Sequence, residues 1–100
     1  MRAVGVQEFG DPGVLEIIDL PESHAALGEV RLRVHGAAGN PTDTVLRDGS
    51  RAQLLQKTPP PYVPGMDVAG VIDQFGAGSE TDFAIGVAVM AMVVPTGSHG

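Results

Sequence analysis

The stretch Val34-His35-Gly36-Ala37-Ala38-Gly39-Asn40-Pro41-Thr42-Asp43 is where this chain changes character. Upstream of it, residues alternate in a two-residue period; downstream come a short helical run and a proline-rich loop. Asn40 followed by Pro41 reads as a helix start, because an asparagine side chain accepts from the first free amides and proline fits the first helical position. Asp43 then falls at the third helical position, where a carboxylate meets the positive end of the helix dipole. The small residues Gly36 to Gly39 let another segment or a ligand approach the backbone closely. The junction is therefore either a plain cap or one wall of a binding site.

Working back from it, Val30, Leu32 and Val34 point one way, while Glu29, Arg31, Arg33 and His35 point the other. That alternation predicts a half-buried antiparallel strand with one wet face, on which His35 is an ordinary surface histidine. Pro21 to Gly28 is a polar linker. Before it, Arg2 to Glu8 and Val14 to Leu20 read as two strands of a hairpin, separated by the turn residues Phe9-Gly10-Asp11-Pro12-Gly13.

Working forward, the helix runs from Pro41 through about Arg47, with Val45 and Leu46 free to pack and Gly49 as its stop. Arg51 to Lys57 forms another helical turn, which Thr58-Pro59-Pro60-Pro61 cannot continue. Tyr62-Val63-Pro64-Gly65 turns into Met66-Asp67-Val68-Ala69-Gly70-Val71-Ile72-Asp73, a strand from about Val68. Gly76-Ala77-Gly78-Ser79 is a tight turn, and Ile85 to Val94 is a last apolar strand, broken or bulged at Gly86. Six or so short strands, two small helical pieces and glycine corners predict a mainly β (α+β) fold, a partly open β-barrel.

Composition narrows the function. One hundred residues form one domain, and 43% hydrophobic with 18% charged residues is a globular balance. Six basic against twelve acidic residues, a net charge of −6, argue against a basic nucleic-acid surface. Cysteine is absent, which removes disulfides and thiolate zinc sites. The longest nearly apolar run, Phe83 to Pro95, is too short to span a bilayer. A soluble, cytoplasmic domain without membrane association is expected. Gly76-Ala77-Gly78 lacks the third glycine and the following helix of a dinucleotide fingerprint. His24, His35 and His99 have no partner at metal-ligand spacing.

Four segments then come in a telling order: Phe9-Gly10-Asp11-Pro12 with Val14-Leu15, Gly28-Glu29-Val30, Gly39-Asn40-Pro41-Thr42-Asp43, and Pro64-Gly65-Met66-Asp67-Val68-Ala69-Gly70-Val71-Ile72. Together they resemble the medium-chain dehydrogenases/reductases, and most of all their zinc-independent branch, the NADPH:quinone oxidoreductases. The resemblance covers nearly the whole chain. It implies that residues 1–100 are the N-terminal, GroES-like catalytic domain, incomplete here and normally followed by a Rossmann domain that holds the dinucleotide. The chain stops at Gly97-Ser98-His99-Gly100, where relatives continue with a Gly-Tyr-Ala-Glu-like strand, so a piece of a longer enzyme is implied.

Zinc-dependent relatives place cysteine at Asn40, and histidine followed by glutamate at Met66 and Asp67. Asparagine and methionine are poor zinc ligands, so the resemblance implies no metal. It places Asn40 by the nicotinamide ribose or substrate, with Thr42 adding a hydroxyl. Asn40 and Thr42 are thus the candidate catalytic residues, Asn40 and Asp43 the candidate cofactor contacts, and Met66 and Tyr62 the candidate substrate-pocket residues. Structural counter-readings stand beside them: Asn40 and Asp43 as caps, Met66 as core and Tyr62 as a packed loop aromatic, while Asp67 reads as a turn or strand-entry hydrogen bond. Two departures stand out. Val45 replaces a tyrosine common in quinone reductases, which implies a more apolar pocket. Gly86-Val87-Ala88-Val89 replaces a Gly-Asp-Arg-Val turn, which leaves an apolar edge open to aggregation or a partner strand.

The expected activity is NADPH-dependent reduction of a small quinone or carbonyl-conjugated double bond, in a homodimer formed through the absent domain. The alternative is a non-enzymatic GroES-like co-chaperonin or interaction module. Its required apolar docking loop is missing, because Pro21 to Gly28 is short and polar.

Overall fold

In the computed structural model, which describes residues 1–94, the N-terminal hairpin forms from strands β1 (Arg2–Gly5) and β2 (Glu16–Asp19). They pair antiparallel from Arg2 opposite Asp19 to Gly5 opposite Glu16. Both strands are shorter than the alternation predicts, for local reasons. Val6 leaves the hairpin to exchange both backbone hydrogen bonds with Tyr62, each 2.8 Å long, so β1 stops at Gly5. Pro12–Val14 winds into a 3₁₀ turn with Asp11 as its cap, the Asp11 carboxylate accepting from the Gly13 N–H at 2.9 Å, so β2 cannot start before it.

The second sheet has three antiparallel strands in the order β3 (Val30–Ala38), β4 (Asp67–Phe75), β5 (Ala88–Met92). Strand β3 continues past His35 because Gly36, Ala37 and Ala38 pair with Ala69, Val68 and Asp67. Its register shifts between Arg31 and Leu32 and again between Val34 and Gly36. Each shift resets the face that the following side chains take, so the predicted apolar face is not continuous. Val30 and Val34 remain 42% and 57% exposed, and the expected half-buried strand is mostly open on both sides. Opposite the second shift stands Gly70, where an added Cβ would lie 2.2 Å from the Arg33 carbonyl oxygen. Only glycine lets β4 close on the bulged strand.

Helix α1 (Pro41–Asp48) ends at Gly49, whose φ of 89° is the left-handed stop the sequence predicts. The next helical piece is a 3₁₀ turn, Ala52–Leu55, rather than an α-helix reaching Lys57. Gly86 is a turn residue with φ 92°, not a bulge, and β5 begins only at Ala88. Strand β5 is an edge strand, and its Met90 and Met92 are 87% and 76% exposed. The described residues hold five strands in two open sheets instead of six or so, a partly open β architecture of GroES-like type. Its buried apolar core consists of Val6, Ile18, Leu46, Leu55 and Ile72. Among the described residues no helix is long and apolar enough to cross a membrane.

The 21–28 linker has no regular structure but is pinned to the sheet. Arg31 donates through Nε to Asp73 Oδ1 at 2.8 Å and through Nη1 to the Ser23 carbonyl at 3.0 Å. The Ala25 N–H reaches Gln74 Oε1 at 2.7 Å, and the Ala26 N–H reaches Glu29 Oε2 at 3.0 Å. The hydrogen bond from Arg31 holds the Asp73 carboxyl below the usual carboxylate range and raises the guanidinium in turn. Against this linker sits the 76–79 turn, where a Cβ on Gly76 would lie 1.7 Å from the Ala26 carbonyl oxygen. That glycine admits backbone where a side chain would stand, and among the described residues strand β5, not a helix, follows it.

Candidate active site

The last rung of the β3–β4 ladder pairs Ala38 with Asp67, and this brings the two resemblance motifs side by side. From Ala38 the chain passes through Gly39 to Asn40, the extended residue (φ −131°, ψ 160°) that starts α1. Asn40 and Asp43 bond reciprocally across the first turn, but the Asn40 half is its backbone carbonyl: the expected side-chain cap from Asn40 does not form, because its carboxamide is turned to Asp67. The Asn40 N–H donates to Asp43 Oδ2 at 2.7 Å, and the Asp43 N–H reaches the Asn40 carbonyl at 2.9 Å. This satisfies two backbone donors that a bare helix end would leave free.

Two side-chain links then cross from α1 to the start of β4. The Asn40 carboxamide nitrogen donates to Asp67 Oδ2 at 2.6 Å. A carboxylate only accepts, so this bond fixes which end of the carboxamide faces Asp67. The Thr42 hydroxyl approaches the Met66 sulfur at 3.7 Å, a weak contact that orients the hydroxyl more than it stabilises it. Asp67 therefore does more than enter a strand: it holds the Asn40 side chain in one orientation.

Beside these links lies a cavity of about 280 Å³. Three candidates from the sequence, Thr42, Asp43 and Met66, line it. Val45, Leu46, Leu54 and Leu55 make its walls apolar, and Arg51 is the one cation on it among the described residues. Asn40 is not part of the wall; its carboxamide is turned to Asp67. Tyr62 is elsewhere, its ring stacked on Phe9 with centroids 5.1 Å apart and planes 5° apart, and its backbone paired to Val6. Arg51, Leu54 and Leu55 were absent from the candidates read in the sequence. The signal for them was their spacing of three and four residues on a predicted helical turn, which puts them on one face.

No three histidine, cysteine, aspartate or glutamate side chains gather among the described residues. His24 Nδ1 lies 3.3 Å from Arg31, His35 is exposed, and His99 and the 97–100 segment lie outside the described residues.

Residues 26–99 match the alcohol dehydrogenase GroES-like domain. The chain belongs to that family, within the medium-chain dehydrogenases/reductases. Inside the family its similarity runs to quinone oxidoreductases. It is 40% identical to the quinone oxidoreductase of Pongo abelii over 106 aligned residues, covering 99% of this chain and 29% of the relative. The structure of the Coxiella burnetii quinone oxidoreductase superposes with a TM-score of 0.83 at 31% identity, over 92% of this chain and 29% of that one. A mycobacterial protein solved in complex with NADPH superposes with a TM-score of 0.78 at 29% identity, over 96% of this chain and 29% of that one. The chain thus spans less than a third of the length of these relatives.

Proposed function

We propose that this GroES-like domain is one half of the active site of a zinc-independent, NADPH-dependent oxidoreductase that reduces quinones or carbonyl-conjugated double bonds. A dinucleotide-binding domain supplies the other half, and the enzyme works in the cytoplasm as a homodimer joined through that domain. The observation that carries the reading is the Asn40–Asp67 link beside an apolar cavity; by family resemblance, these are positions where zinc-dependent relatives keep metal ligands.

The size of the cavity supports a division of labour. Sites for drug-sized ligands run from about 300 to 1,000 Å³. About 280 Å³ suits a single ring, either a nicotinamide or a quinone, and is too small for a dinucleotide. The Gly76 turn joins two strands and lacks the strand-to-helix context of a phosphate loop, so this chain would meet the cofactor at its nicotinamide end only. When bound, NADPH supplies the hydride, and solvent supplies the proton that completes a hydroquinone. The residues here position and desolvate. Val45, Leu54, Leu55 and Met66 exclude water from one ring face, which strengthens every polar contact made inside. Asn40, oriented by Asp67, and the Thr42 hydroxyl offer hydrogen bonds to a ribose or to oxygen gaining charge on the acceptor.

The co-chaperonin alternative needs a mobile docking loop. The linker it would use is held by Arg31, Gln74 and Glu29 instead.

The test is consumption of NADPH by the full-length enzyme in the presence of naphthoquinone, with and without a zinc chelator. Chelator-resistant turnover is expected; no turnover, or turnover abolished by the chelator, would sink the proposal. The polypeptide of residues 1–100 alone should show no micromolar NADPH binding in a titration, because no glycine-rich strand-to-helix phosphate loop forms among the described residues.

A further inference from the structure

We propose that Arg51 sets the acceptor class, selecting quinones or enones that carry an anionic substituent such as a carboxylate or sulfonate. The inference rests on the reading of this cavity as the acceptor site and names which acceptor it prefers. Arg51 stands on the wall of an otherwise apolar cavity, on the same face as Leu54 and Leu55. Ion pairs among the described residues run to Arg31, at the other end of the sheet, and none reaches Arg51. The one carboxylate on the cavity, Asp43, is already engaged by the Asn40 N–H. Arg51 is thus an exposed guanidinium with no carboxylate partner among the described residues, on the wall of a space the size of one ring.

Such a cation has an energetic consequence. The chain as a whole carries a net charge of −6, so an anionic acceptor is repelled in general and favoured only where a local cation outweighs the mean field. A guanidinium offers a planar fork of donors that matches a carboxylate or sulfonate with two parallel bonds. A flat ring lying against Val45 and Leu54 would share its cavity with Arg51, which lines the same space. A neutral quinone gains the apolar contacts alone. The preference is electrostatic and partly solvent-exposed, so it should weaken as salt is added.

The experiment compares naphthoquinone with naphthoquinone sulfonate on the full-length enzyme and on Arg51→Gln and Arg51→Lys. Because the sulfonate is intrinsically more reducible, the readout is the change in the ratio of kcat/KM for the two acceptors, not either value alone. Arg51→Gln should lower that ratio about tenfold at low salt, a loss typical of one charge-assisted contact at a partly exposed site. Arg51→Lys should recover part of it, and high salt should shrink the wild-type preference. An unchanged ratio in Arg51→Gln overturns the proposal, as does a selective rise in the KM for NADPH. If wild type turns over neither quinone, the oxidoreductase reading fails. Calorimetric titration with naphthoquinone sulfonate then decides on Arg51 separately: binding weakened about tenfold in Arg51→Gln keeps the anion site, and binding that is absent or unaffected removes it.

Discussion

At one end of the β3–β4 pair, Asp73 accepts from Arg31 and, with Gln74, fastens the linker to the sheet. At the other end, Asp67 accepts from the Asn40 carboxamide beside a cavity. Both aspartates lie on the same strand and each meets a single donor side chain from the β3 side. Their partners differ in kind. Arg31 brings its own charge to Asp73 and, at 4.0 Å, to Glu22, so that end is closed by ion pairs. Asn40 is neutral and leaves the Asp67 charge in place, next to a space that a ligand ring could enter. One end behaves as a fastener. On the proposed reading, the other presents a polar group in a fixed direction, which a fastener would not require.

The largest expected effect breaks the ladder between the two ends. Gly70→Ala would put a Cβ 2.2 Å from the Arg33 carbonyl, at the second register shift. Backbone must move to admit it, which should cost about 3 kcal/mol, the upper range for overpacking. Urea unfolding followed by circular dichroism should show a much lower midpoint, and activity should fall with it. A midpoint within error of wild type would mean that β3 is not bulged against Gly70.

A smaller effect separates chemistry from stability. Asn40→Ala keeps the backbone and Asp43 bonds of the first turn, so it should cost at most about 1 kcal/mol of stability, and it frees the Asp67 carboxylate. In the full-length enzyme, turnover should drop about tenfold or more, beyond what a cap alone explains. Asn40→Asp should be worse still, since it sets two carboxylates at the former 2.6 Å contact. If Asn40→Ala loses stability while turnover per folded molecule stays the same, Asn40 is a cap and nothing else.

Much of this comparison was legible in the sequence, and unevenly so. The hairpin, the helix from Pro41 and its stop at Gly49 follow from local chemistry: turn residues, a proline at the first helical position, a glycine able to take positive φ. The motif order also announced the family. What local rules could not show was pairing at a distance. Asp67 read as a strand-entry residue because its donor, Asn40, is 27 positions away. The bulges in β3 were invisible to a two-residue period, which is why Val30 and Val34 were placed on a buried face. Tyr62 drew notice as the chain's single tyrosine, yet its place is set by Phe9 and Val6, 53 and 56 positions upstream. Arg51 was visible only as part of a helical turn.

The smallest effect tests the fastener, and pH is the means. Arg31 holds the Asp73 carboxyl below the ordinary carboxylate range, chiefly through its hydrogen bond and against the opposing effect of burial. A group depressed in the folded state contributes stability that is fully present above its unfolded value, about 3.9 for an aspartate, and is lost as pH falls through the lower folded value. Wild type and Asp73→Asn should therefore differ in unfolding midpoint at neutral pH and converge in the acid range. The gap at neutral pH should be modest and should narrow with salt, because both side chains remain about a quarter exposed, 22% and 26%, and water competes for the pair. Turnover per folded molecule should not change in Asp73→Asn, since the linker it fastens lies at the far end of the ladder from the cavity. A variant that keeps its stability but loses turnover would reverse the assignment of the two ends, making Arg31 and Asp73 the functional pair.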